Sequence, residues 1–126
     1  MIRGIGIDLI AIERIRRACT RLGDAFMNRI FTTDERAYAD KKRNPFPHLA
    51  GIFAAKEAAR KAFGDGIGGV GWSDIEVTHC SSGRPHLAMH GRAAILMRQM
   101  GITRTHLSIT HDDPQAIAMV IFESPE

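Results

Sequence analysis

Along residues 4–9 the side chains alternate strictly. Ile5, Ile7 and Leu9 fall on one side and Gly4, Gly6 and Asp8 on the other, which is the period of a strand. The pattern predicts a packed aliphatic face and a bare glycine face interrupted by one carboxylate, with Gly4 and Gly6 keeping room for a bulky ligand. Over residues 10–22 the period lengthens to that of a helix. Ile12, Ile15, Cys19 and Leu22 form an apolar stripe, while Arg14, Arg17 and Arg21 form a basic ridge. A short helix is predicted from Thr33, an N-cap followed by Asp34 and Glu35, whose charges suit the positive end of a helix dipole. NPFP, residues 44–47, then breaks the chain.

HLAGIFAAKEAARKAFG, residues 48–64, predicts the clearest helix, stopped by Gly64. Alanine on several of its sides implies neighbours in close contact. DGIGGVGW, residues 65–72, reads as a glycine-rich loop. DIEVT and HLAMH read as two strands joined by the turn SSGRP. A helix over 91–100 follows, and HLSIT and AIAMVIFE form a second hairpin about DDP. Helices and strands alternate irregularly, with hairpins in the second half. The expectation is an α+β fold, one domain over residues 1–126, with an antiparallel sheet packed on a long central helix.

The 126 residues are 44% apolar and 25% charged, the usage of a packed globular domain with a single core. No run approaches the about 18 apolar residues of a membrane span, and no signal peptide is legible, so a cytoplasmic protein is expected. Cys19 and Cys80 match no metal or CxxC spacing and are expected as reduced, partly buried thiols. The net charge of +3 suits an acidic partner or a phosphorylated ligand without choosing between them. One Trp and one Tyr offer little to stack on bases, which disfavours nucleic acid.

Two glycine-rich stretches fail as nucleotide motifs. GIGID lacks the third glycine of a dinucleotide fingerprint, and DGIGGVG lacks the Gly-Lys-Ser/Thr ending of a P-loop. Asp8 then has two readings: a cap for the helix that follows, or a carboxylate with space beside it for an ion. Glu57 also has two. It forms a surface pair with Lys61, or the alanine-flanked face of Phe53, Glu57 and Lys61 presents acid and base together. If Asp8 and Glu57 converge, they make an oxygen-only site of the kind Mg²⁺ accepts, completed by substrate phosphates and water. Ser108, Thr110 and His111 are either strand packing or phosphate donors, and the arginine ridge is either a solvated face or a surface for an acidic partner helix.

Three separated segments, GIGIDLIAIERI, FAAKEAARKAFG and HLSITHDDPQAIAMVIFE, together resemble the holo-acyl carrier protein synthases, the small bacterial 4′-phosphopantetheinyl transferases. FMNRIFTTDE and the SGRP turn are similar as well, so the resemblance covers nearly the whole chain. It implies transfer of phosphopantetheine from coenzyme A to a serine of apo-acyl carrier protein, in fatty acid biosynthesis. It also implies Mg²⁺ held by Asp8 and Glu57, Lys61 on the reacting phosphate, and Glu57 as a possible base. Coenzyme A is expected to contact Asp8, Glu57, Lys61, Gly64, Gly83, Arg84, Pro85 and His111, and the carrier protein to meet Arg14, Arg17 and Arg21. The family's homotrimer, with active sites between subunits, is expected too. Two positions depart from the pattern: Ile52 stands where many relatives have arginine, and the HDDP turn is unusually acidic. The rival readings are a noncatalytic basic module and a different Mg²⁺-dependent phosphotransferase.

Overall fold

The computed structural model describes all residues, 1–126. Its elements run β1 (Ile2–Ala11), α1 (Ile12–Ile30), α2 (Thr33–Asp40), α3 (Pro45–Phe63), β2 (Ile75–His79), β3 (Pro85–Met89), α4 (Gly91–Gln99), β4 (Arg104–Asp112) and β5 (Gln115–Glu123). β1, β5 and β4 form one antiparallel sheet in that order, and β2 and β3 pair as a separate antiparallel hairpin. This is the expected α+β class, with α3 as the central helix.

The faces of β1 are the reverse of the sequence expectation. Ile5, Ile7 and Leu9 are 59%, 55% and 53% exposed, whereas the glycine face lies against α3. A Cβ at Gly6 would overlap the carbonyl oxygen of Ala58, and one at Gly4 the carbonyl of Ala62. The glycines therefore do not clear space for a ligand. They let an alanine-rich helix come to backbone distance from a strand, where any side chain would hold it away. Ala116, Ala118, Val120 and Phe122 of β5 complete the buried face, joined by Ala54, Ala55, Ala58 and Ala59 of α3.

Three boundaries also differ from expectation. α1 runs on to Ile30 through a break at Gly23, whose φ of 66° is outside the helical range, and Leu22 just before it is exposed. α2 is capped by Thr32, one residue earlier than expected, in a reciprocal box: Glu35 N donates to Thr32 Oγ1 at 3.1 Å and Thr32 N to Glu35 Oε1 at 2.8 Å. NPFP starts α3 rather than merely breaking the chain. Asn44 accepts from Phe46 N, and the prolines sit in the first turn, where an amide proton is not needed. At the far end Gly64, at φ 72°, stops α3 as expected. Both cysteines are free, Cys80 fully at the surface.

Candidate active site

The tight β1–α3 contact fixes the site. Asp8 lies on the α3 face of β1, paired in register with buried Ala118. Lys61, in the last turn of α3, reaches across to it: Nζ donates to Asp8 Oδ1 at 3.1 Å and to the carbonyl of Ile7 at 2.9 Å. Asp8 is not a helix cap, because the N-cap position of α1 is Ala11, with no side-chain cap, and the Ile12 amide is taken by the Pro114 carbonyl at 2.9 Å. Glu57 stands one helical turn before Lys61 but does not pair with it. Its carboxylate faces Arg60 Nε at 3.8 Å. Lys61 is thus free of the intrahelical pair and committed to Asp8, while Asp8 and Glu57 are both partly open.

Nowhere in the chain do three or more His, Cys, Asp or Glu side chains gather as metal ligands. A cage made of protein groups alone is therefore absent. Asp8 on Lys61, with Glu57 one helical turn away, fits a different arrangement, in which Mg²⁺ takes one or two protein oxygens and completes its shell with phosphate and water.

Arg60 ties this edge to the glycine-rich loop. Its Nη1 donates to the Val70 carbonyl at 3.2 Å and its guanidinium lies 5.1 Å from the centre of the Trp72 ring, which stacks on Phe53. The loop that leaves Gly64 is folded back on α3.

The other expected contacts form a second group. Gly83, Pro85 and His111 line a cavity of about 160 Å³, while Arg84 is exposed beside it. This cavity is lined by neither Asp8, Glu57 nor Lys61. Asp8 is on the β1 edge of the sheet and His111 on the β4 edge, with β5 between them. One chain does not bring the two halves together. Arg14, Arg17 and Arg21 are exposed along α1 and, with Ala18 and Leu22, line an open groove of about 590 Å³. Arg17 is held by Glu13 at 3.3 Å, and Arg16 pairs with the same carboxylate.

The sequence reading missed two features. Lys56 and Glu35 form an ion pair at 2.8 Å with both side chains fully buried. Lys56 Nζ also donates to the carbonyls of Trp72 at 3.0 Å and Ile75 at 2.8 Å, and Glu35 accepts from Val77 N at 2.7 Å. Burial pushes the Glu35 carboxyl up and the Lys56 ammonium down, each opposed by the charge of the other. The signal was present in Glu35 at the third position of a capped helix and in a lysine enclosed by alanines. The other missed feature is the group of Tyr38, His48 and His79 around His111.

A family model described as the 4'-phosphopantetheinyl transferase superfamily matches residues 4–118. The chain belongs to that superfamily. Among its transferase relatives, the holo-[acyl-carrier-protein] synthase of Nitratidesulfovibrio vulgaris strain Hildenborough is 49% identical over 125 residues, 98% of this chain and 100% of the relative. That of Koribacter versatilis is 45% identical over 124 residues, covering 98% and 99%. Two solved structures of this transferase family are similar throughout. The holo-[acyl-carrier-protein] synthase of Neisseria meningitidis has a TM-score of 0.88 at 36% identity, covering 98% of this chain and 100% of the other. The Helicobacter pylori synthase, solved in complex with coenzyme A, has a TM-score of 0.83 at 31% identity, covering 94% and 99%. The antiparallel α+β architecture is therefore that of the phosphopantetheinyl transferases.

Proposed function

We propose that this chain is a holo-acyl carrier protein synthase. It transfers 4′-phosphopantetheine from coenzyme A to a serine of apo-acyl carrier protein in fatty acid biosynthesis, releasing adenosine 3′,5′-bisphosphate. The observation that carries the reading is the Lys61–Asp8 contact one helical turn from Glu57, in a chain whose relatives carry that name.

Asp8 and Glu57 would hold Mg²⁺, which when bound supplies positive charge at the pyrophosphate oxygens. Lys61, fixed by the Ile7 carbonyl and Asp8, keeps two of its donors on the protein and can aim the third at a phosphate oxygen. The serine oxygen bonds to the phosphorus nearer the pantetheine, and the bond from that phosphorus to the oxygen of the adenosine 5′-phosphate breaks. Glu57 takes the serine proton, directly or through water. Gly64, Gly83, Arg84, Pro85 and His111 contact coenzyme A, and the groove along Arg14, Arg17 and Arg21 receives the acidic carrier protein.

The working form in this reading is a cytoplasmic homotrimer. Asp8 and His111, one from each group of expected coenzyme contacts, lie on opposite edge strands of one sheet, and in this reading a neighbouring subunit joins the two groups. The outer sheet face of Ile5, Ile7, Leu9 and Met119 is apolar and uncovered, as a subunit interface would be. No helix is long and apolar enough to cross a membrane.

The test is incubation with coenzyme A, Mg²⁺ and apo-acyl carrier protein, followed by intact-mass spectrometry. The carrier is expected to gain one phosphopantetheine. No added mass on any cognate carrier overturns the proposal, and light scattering that shows only monomer overturns the trimer.

A further inference from the structure

Phe53, Glu57 and Arg60 recur at i, i+4 and i+7 of α3 and share one face of the helix. The glycine-rich loop that follows α3 is tied to this face. Five of the eight residues 64–71 are glycine, so the chain there has little stiffness of its own and stays where side chains hold it. Arg60 is the polar part of that hold. Its Nη1 donates to the Val70 carbonyl at 3.2 Å, and its guanidinium sits 5.1 Å from the centre of the Trp72 ring, whose stacking partner at 5.3 Å is Phe53. The Nε of the same group faces Glu57 Oε1 at 3.8 Å, the one ion-pair contact of that carboxylate.

A guanidinium is planar and rigid, so Nε and Nη1 move as one body. Whatever shifts Nε therefore shifts the donor on Val70 and the charge near Trp72 as well. The contact with Glu57 is also easy to open. At 3.8 Å it is beyond hydrogen-bond length, and the Arg60 and Glu57 side chains are 30% and 31% exposed. Lys61, one turn from Glu57, is engaged by Asp8 and the Ile7 carbonyl and does not compete for the carboxylate.

We propose that Arg60 is a positioning residue, a latch between Glu57 and the glycine-rich loop. Closed on Glu57, it holds the loop back on α3. When Glu57 turns toward a bound cation, the guanidinium loses its counter-charge, shifts, and frees the loop to settle on the ligand. The proposal rests on the transferase reading and deepens it, because in that reading Glu57 holds Mg²⁺ and Gly64, where the loop begins, contacts coenzyme A. Such coupling is reciprocal. The pair that holds the loop must open before the carboxylate can serve a cation, so Arg60 weakens the metal site as much as metal binding loosens the loop.

Trp72 is the only tryptophan in the chain, and a guanidinium moving near its indole changes the charge the ring feels, so its fluorescence reads the latch. The intact protein is saturated with coenzyme A, and Mg²⁺ is then titrated in while Trp72 emission is followed. Quenching by the coenzyme itself is already in the baseline. In the wild-type protein Mg²⁺ is expected to shift the emission. In Arg60→Lys, which keeps the charge and loses the planar fork, the shift is expected to vanish. In Arg60→Gln, which lacks the charge that competes for Glu57, the Mg²⁺ concentration at half-saturation, read by calorimetry, is expected to fall about two- to fivefold, the range of an exposed ion pair. An arginine that merely propped the loop would leave metal affinity level or lower it.

Wild-type emission that ignores Mg²⁺, a result that needs no variant, overturns the latch. A shift of wild-type size in Arg60→Lys overturns it too, as does a half-saturation in Arg60→Gln that stays level or rises. A silent Trp72 with carrier modification intact would sink the latch and leave the transferase. An Arg60-dependent shift without carrier modification would do the reverse.

Discussion

Lys56 and Lys61 lie five residues apart on α3, and each holds a carboxylate from another element, Glu35 at 2.8 Å and Asp8 at 3.1 Å. Their surroundings separate them. The Lys56 side chain is 0% exposed, with all three ammonium protons matched by Glu35 and two carbonyls. Lys61 is 54% exposed and uses only two acceptors. The buried pair is closed, so nothing can enter it without unfolding the junction of α2, α3 and β2. The open pair retains a free donor and a solvent path, which is what a phosphate needs. Charge and nitrogen–oxygen distance are alike in the two pairs; accessibility separates them, and in the proposed function only the open one serves the chemistry.

The largest expected effect concerns the closed pair. Lys56→Met leaves the Glu35 carboxylate buried without its partner, a change that costs about 3–5 kcal/mol. Chemical denaturation should show that loss, and a variant as stable as wild type would break the comparison. Replacing both partners, Lys56→Met with Glu35→Leu, should recover much of it, as a double-mutant cycle would show.

A smaller effect is expected at the basic groove. Arg14→Glu should raise the carrier protein's KM about tenfold, leave that of coenzyme A nearly unchanged, and weaken the salt dependence of binding. Equal changes for both substrates would remove this surface from the protein-binding side.

The smallest effect extends the closed network toward the surface. Burial pushes Glu76 up, but hydrogen bonds from Thr32 and His90 and the charges of His90 and Lys56 outweigh it and hold its carboxyl below the usual range. Such a group stabilises the fold above its unfolded value and loses that contribution as pH falls through the lower folded one. Glu76→Gln should therefore lower Tm by a few degrees at pH 6, with the difference from wild type shrinking below about pH 4. A difference that grows on acidification would reverse the sign argued here.

The residues of the open pair were singled out in the sequence, though not their pairing with each other, and those of the closed pair were not, for a physical reason. Asp8 interrupts an apolar alternation on β1, and Glu57 and Lys61 follow on one face of α3, in a recognisable order. Lys56 differs from Lys61 only in which way it points, and that direction is set by Trp72 and Ile75, far along the chain. The faces of β1 were misread because periodicity separates two faces without saying which one meets the core. Side-chain size suggested the aliphatic face, whereas α3 needed the glycine face in order to come close. Gly64 stopped α3 as read, since a positive φ at a helix end has a local cause, but Gly23 only interrupts α1, because Met27 and Ile30 continue its burial beyond the break.

The most direct measurement is the rate of carrier modification by Lys61→Met at saturating coenzyme A and carrier, set beside its thermal unfolding. An exposed lysine that stabilises charge in the transfer should cost about a hundredfold or more in rate when removed, with Tm within a few degrees of wild type. A rate within twofold of wild type would contradict the assignment of the open pair to the chemistry.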